Sequence, residues 1–184
     1  MIEIDRHVYK GRPENTEGRM NKEIRVYDLL DSLFIPYERV DHGVAMTIED
    51  CQGVDQLLGI DICKNLFLTN SQKTKFYLLL MPGKKRFVTK EFCKQIESPR
   101  LSFGSPEYME EFLDITPGSV SIMGLMNDTE NRVQLVIDKE VYEEESFGCH
   151  PCMNTTSLKM KASDVWEKFL PAVHHEPMFV DLKG

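Results

Sequence analysis

The chain lacks any apolar run long enough to cross a bilayer, which argues against a membrane-spanning protein and leaves no membrane partner expected. Its opening stretch, MIEIDRHVYKGRPENTEGRM, carries too much charge for a secretory signal, so a cytoplasmic location is the expectation. It also lacks a disulfide framework. Five cysteines at irregular spacing fit reduced thiols, with Cys51, Cys63 and Cys93 reading as core fillers. Positive charge is scarce: 22 Lys and Arg against 30 Asp and Glu leave a formal net charge of −8. That balance excludes a generic polyanion binder and any DNA-binding role, and confines nucleic-acid contact to a local patch. No internal repeat or low-complexity tract is present.

What is there suits one ordinary globular domain, with 184 residues of which 41% are hydrophobic and 28% charged. Residues 1–20 carry Gly, Pro, Asn and Glu without periodicity and read as an N-terminal arm; residues 21–184 carry the domain. Ile24, Val26, Leu29, Leu30 and Leu33 recur at helical spacing before Pro36. Thr47 and Asp50 form a capping-box-like start for a second helix that Gly59 closes. CKNLFLTN and KFYLLLMP predict a hairpin buried on both faces, and YERVDH, RLSF, RVQLVID, TTSLKM and MFVDL predict further strands. Thr89, Ser105 and Ser163 are placed to cap short helices between them. The alternation predicts an α/β (α+β) sandwich around a mixed sheet.

Several residues then ask for chemistry. Cys149 and Cys152 flank His150 and Pro151 in a C-x-x-C, the spacing of a thiol redox pair or half a zinc site. The segment runs into β-branched MNTTSL rather than a helix, and no second ligand pair stands elsewhere, so no metal is expected. His150 is either a satisfied structural histidine or a functional imidazole. Lys64, heading an apolar strand, must snorkel to water or meet an anion. Gly118 follows Pro117 in a turn that either simply opens a strand or presents backbone N–H groups to a developing oxyanion. Lys73, Lys75, Lys84, Lys85, Arg86 and Lys90 make one basic strip, a solvated turn or a phosphate-contacting patch, while the acidic DKEVYEEE stretch reads as a solvated face.

Taken in order, KNLFL with YLLLM, RLSFGSPEYMEEFLDITPGSVSIMGLMND and FGCHPCMNTTSL resemble the YbaK/prolyl-tRNA-synthetase-associated editing domain family in its free-standing, PrdX-like form. The resemblance spans about residues 21–170. It implies a compact domain with a mixed, strongly curved sheet flanked by short helices. It further implies hydrolysis of the ester of mischarged tRNA(Pro), alanine foremost, with no cofactor, acting on the acceptor end with prolyl-tRNA synthetase or an elongation factor as delivery partner. Lys64 matches the family lysine expected at the terminal nucleotide, His150 the histidine of its HP pair, and Gly118 the glycine opening its GxxxP loop. Asn65 and Asn154 are the implied polar members of the pocket; Met46, Ile122 and Met123 read either as its apolar wall or as plain core, and Lys84, Lys85 and Arg86 are the expected tRNA contacts. Ile122 stands where the family usually has proline, which leaves cysteine, serine or threonine as alternative cargo. From different classes, a thiol-disulfide oxidoreductase using Cys149 and Cys152 and a non-catalytic tRNA-binding module remain open.

Overall fold

A computed structural model describes residues 1–184. In chain order the elements are β1 (Tyr9–Lys10), α1 (Asn21–Ser32), β2 (Tyr37–Asp41), α2 (Gln52–Leu58), β3 (Lys64–Thr69), β4 (Phe76–Met81), α3 (Thr89–Gln95), β5 (Ser102–Phe103), α4 (Pro106–Leu113), β6 (Val133–Asp138), α5 (Lys139–Glu143), β7 (Ser146–Cys149), β8 (Thr156–Lys161), α6 (Ala162–Asp164), α7 (Leu170–Ala172) and β9 (Met178–Val180). A 3₁₀ turn leads into α2, another covers Ile122–Asn127, and one π-helical stretch, Val165–Phe169, joins α6 to α7.

The strands make two sheets. One is antiparallel in the order β1-β2-β8-β7; the other is mixed, β5-β3-β4-β6-β9, with β4, β6 and β9 parallel. This corrects the expected single, strongly curved sheet. The physical reason is that period-two alternation marks a strand's buried face without naming its hydrogen-bonded neighbour. β2, β7 and β8 bury Tyr37, Phe147, Leu158 and Met160 toward the same core that receives Phe67, Leu78, Leu80, Leu135 and Ile137 from the mixed sheet. Thus two sheets face each other across apolar side chains instead of one sheet bending around them. The opposite face of the mixed sheet packs Leu68, Leu79, Met81 and Val136 against Phe92 and Cys93 of α3. Burial on both faces explains why β4 reads as a continuous apolar run, all six residues being buried.

The hairpin forms as the sequence predicts, with Lys64 opposite Met81. Around α2 the caps are reciprocal: Asp50 Oδ2 accepts the Met46 and Thr47 N–H groups, Thr47 Oγ1 accepts from Asp50 N–H, and Gly59 ends the helix at φ 66°. Other caps differ. Thr89 and Ser163 lie inside their helices, and Ser105 holds the N-cap position with Pro106 behind it but makes no side-chain cap bond. Within the arm, Arg19 reaches three groups at once: buried Glu23 of α1 (2.6 Å), Asp41 of β2 (2.9 Å) and the Thr156 hydroxyl of β8 (3.3 Å).

Candidate active site

A cavity of about 320 Å³ opens where three loops meet the start of β3. Its wall includes Lys64 and Asn65 of β3, Met46 and Ile48 before α2, Gly118 and Val120 after α4, and His150 after β7. Residues 85 positions apart in sequence therefore share one space, because β3 and β7 sit in the two facing sheets. That volume lies toward the lower end for small-molecule sites. A larger depression, about 540 Å³, lies between Lys10, Asp31, Lys159 and Lys161 and holds none of the expected site residues.

Lys64 Nζ donates to the Lys85 carbonyl, which uses one of its three N–H groups and leaves two for an anion. The lysine neither snorkels away nor sits unpaired. Gly118 has φ 87°, and a Cβ there would stand 2.9 Å from Met46 Sδ and 3.0 Å from Asn154 Nδ2. Only glycine fits this position without strain. Ser119 N–H is taken by Thr116 O (3.0 Å), whereas the Gly118 and Val120 N–H groups have no intramolecular acceptor. His150 Nδ1 lies 2.8 Å from the Thr156 carbonyl, so this nitrogen carries the proton and Nε2 is left as an acceptor. Burial, helped by the neighbouring His42, pushes the His150 pKa down to about 4 and keeps the ring neutral near pH 7.

Some expected roles move. Ile122 and Met123 are fully buried in the core between the sheets and do not reach the cavity. The 3₁₀ turn they begin points both inward, as apolar side chains at that turn must be. Asn154 stands behind the wall: its Nδ2 donates to Ala45 O (2.9 Å) and its N–H to Ser119 Oγ (3.1 Å), tying the loops together. Met46 and Asn65 do line the cavity, with Asn65 Nδ2 bonded to Cys63 O and its Oδ1 buried without a partner. The Lys85 ammonium is engaged within the fold, held by buried Asp138 (3.2 Å) and by Leu182 O (2.6 Å). Lys84 and Arg86 remain exposed. Sequence reading missed Ile48, Val120, His42 and Ser157; the TPGSVS turn signal covered Val120, but nothing local marked the others.

The thiol pair looks unlike a redox centre. Cys149 and Cys152 are buried, and burial raises both thiols, Cys152 to about 12, when a redox or metal thiolate needs the opposite shift. No three His, Cys, Asp or Glu side chains are arranged to hold a metal ion.

Residues 42–167 match the family described as aminoacyl-tRNA editing domain, which covers the whole cavity. The chain belongs to this editing-domain family. Among relatives, the prolyl-tRNA editing protein ProX of Acetoanaerobium sticklandii is 30% identical over 83% of this chain and 93% of its own length. The prolyl-tRNA synthetase associated domain-containing protein 1 of Danio rerio is 26% identical over 88% of this chain and 86% of its own. A crystal structure described as a candidate trans-editing enzyme for prolyl tRNA synthetase superimposes with a TM-score of 0.62 over 90% of this chain and 98% of that one, at 15% identity, which establishes the shared fold. The editing-domain family is one of hydrolases acting on aminoacyl-tRNA, and the relatives' names tie it to prolyl-tRNA editing.

Proposed function

We propose that this editing domain is a trans-acting deacylase that hydrolyses the ester of mischarged tRNA(Pro), with alanine as its cargo. The observation that carries the reading is the convergence of Lys64, Gly118 and His150 on one cavity of about 320 Å³. An ester hydrolase that uses water needs an anchor for the nucleotide, donors for the oxyanion and an acceptor near the reacting centre. The two spare N–H groups of Lys64 supply the first, binding the phosphate or ribose of the terminal adenosine. The unengaged Gly118 and Val120 N–H groups supply the second. His150 Nε2 supplies the third, as a neutral acceptor for the substrate ammonium or the attacking water.

Water attacks the ester carbonyl, the charge developing on oxygen is held by backbone donors, and the terminal ribose hydroxyl leaves with the proton. No side-chain nucleophile is needed. A small cavity whose lining includes Met46 and Ile48 suits a methyl side chain; pocket contacts alone discriminate between small apolar groups by only about 1–3 kcal/mol, which is why a second, hydrolytic site is useful after the synthetase. Exposed Lys84 and Arg86 lie beside the Lys64 anchor and suit the acceptor-stem backbone. The acidic net charge makes binding weak, so delivery by prolyl-tRNA synthetase or an elongation factor in the cytoplasm completes the proposal.

The test is deacylation of tRNA(Pro) charged separately with alanine, cysteine, serine and proline. Fast release of alanine by the wild type, lost in Lys64→Ala and kept in Cys149→Ala, is the expected result. Faster release of cysteine or serine changes the cargo; no release of any of the four overturns the deacylase reading.

A further inference from the structure

Behind the cavity wall His150 has a second ring for company. His42, which follows β2 directly, is 9% exposed, and the two ring centroids are 5.9 Å apart. His42 Nδ1 lies 2.7 Å from the Gly43 carbonyl, and its Nε2 lies 2.9 Å from the hydroxyl of Ser157, which is fully buried on β8. The same hydroxyl oxygen is 3.4 Å from His150 Nδ1.

Proton placement along this row is dictated from both ends. Carbonyl oxygens only accept, so Gly43 O requires a proton on His42 Nδ1 and Thr156 O requires one on His150 Nδ1. Burial lowers the pKa of both rings and keeps them neutral, so each has one bare nitrogen. The bare Nε2 of His42 then accepts the Ser157 hydroxyl proton. With its proton committed, Ser157 can offer His150 only lone pairs, which reinforces Nδ1–H and disfavours the other tautomer. His150 thereby keeps Nε2 as an acceptor at the cavity.

We propose that His42 is a positioning residue for the deacylation, holding His150 in its Nδ1–H tautomer through the Ser157 hydroxyl. The kinetic part rests on the deacylase reading above; the tautomer part does not. Without His42 the Ser157 hydroxyl is free to turn and donate toward His150, and without Ser157 the Nδ1–H keeps Thr156 O as its one acceptor; in either case the arrangement with Nε2 protonated and unable to accept is less disfavoured.

The experiment pairs ¹⁵N-histidine NMR of the intact chain at neutral pH with deacylation of alanyl-tRNA(Pro), on the wild type, His42→Ala, His42→Gln and Ser157→Ala. Ser157→Ala removes a single oxygen and serves if His42→Ala fails to fold. The expected result is one His150 species with bare Nε2 in the wild type and a second tautomer in His42→Ala and Ser157→Ala. In those two variants kcat falls about tenfold with KM within about twofold, as for other orienting partners of functional histidines. His42→Gln, whose amide oxygen still accepts from Ser157, restores both readouts. An unchanged His150 tautomer in both His42→Ala and Ser157→Ala overturns the relay, since Thr156 O alone would then suffice. A changed tautomer with unchanged kcat overturns the positioning role. A wild-type chain that releases no amino acid overturns the deacylase reading and the kinetic half of this proposal, while the NMR comparison still decides the relay.

Discussion

Gly118 concentrates at one residue what the site demands of the backbone. Its φ of 87° and the 2.9 Å approach of Met46 Sδ leave no room for a side chain. In Gly118→Ala the new methyl must displace Met46 or twist the turn that carries the free N–H groups. Deacylation by Gly118→Ala is expected to fall by about 100-fold, mainly in kcat, as for loss of an oxyanion donor. A thermal melt should show a loss of only about 1–2 kcal/mol, the cost of a left-handed non-glycine residue. An activity loss no larger than the stability loss predicts would remove Gly118 from the chemistry. Lys64 and Gly118 stood out in the sequence because each is odd where it lies, a charge on an apolar strand and a glycine after proline. His42 and Ser157 did not, since a histidine ending a strand and a serine inside one are unremarkable until the fold sets them beside His150.

At the scale of elements, the arm and the C-terminal tail are held by charges that local pattern does not reveal. Arg19 joins α1, β2 and β8 through Glu23, Asp41 and Thr156, and Glu23 is almost wholly buried. Arg19→Ala leaves that carboxylate with the Tyr27 hydroxyl but no counter-charge and is expected to cost about 2 kcal/mol in urea unfolding, below the full cost of breaking a buried pair because the arginine is partly exposed. Glu23→Gln in the same background should recover part of it. Lys85 works likewise on the other side, pinning Asp138 at the end of β6 and Leu182 after β9. Lys85→Ala is expected to destabilise by about 2 kcal/mol. Lys84→Ala and Arg86→Ala should each stay within about 0.5 kcal/mol in the same unfolding assay. In filter binding at several salt concentrations, that pair should instead flatten the log K against log salt slope by up to about 2. A flattened slope in Lys85→Ala with unchanged stability would return Lys85 to the tRNA surface. The strip was legible as charge, yet charge count cannot separate a lysine spent on a buried aspartate from one left in water.

For the whole molecule, two neutral histidines buried beside the cavity link stability to pH. The folded chain holds His42 and His150 below their ordinary value, His150 at about 4, so between about pH 6.5 and 4 the unfolded chain binds more protons. Stability is therefore fully present above about pH 6.5 and falls as pH is lowered through that window, by on the order of 3 kcal/mol for His150. Asp41 and Asp128, whose carboxylates are held below the ordinary range by burial-offsetting bonds to Arg39 and His175, lose their contribution only at lower pH. Urea unfolding at about pH 7.5 and pH 5 checks this; His150→Gln should flatten the difference, and an equal slope in wild type and variant would show that the ring titrates freely.

Taken alone, the amino-acid sequence determined most of the helices and strands, though not β1, β7 or α5, together with the hairpin of β3 and β4 and the oddly placed residues that carry the family resemblance, because these depend on periodicity, caps and turn chemistry within a few residues. The tertiary structure decided that the strands divide between two facing sheets, that Ile122 and Met123 belong to the core and Asn154 to the bracing behind the wall, and that Lys85 serves Asp138. It also decided that His42 reaches His150 through Ser157. Each of these depends on which distant segment a strand or side chain meets, and short-range pattern records that a face is buried without recording what it is buried against.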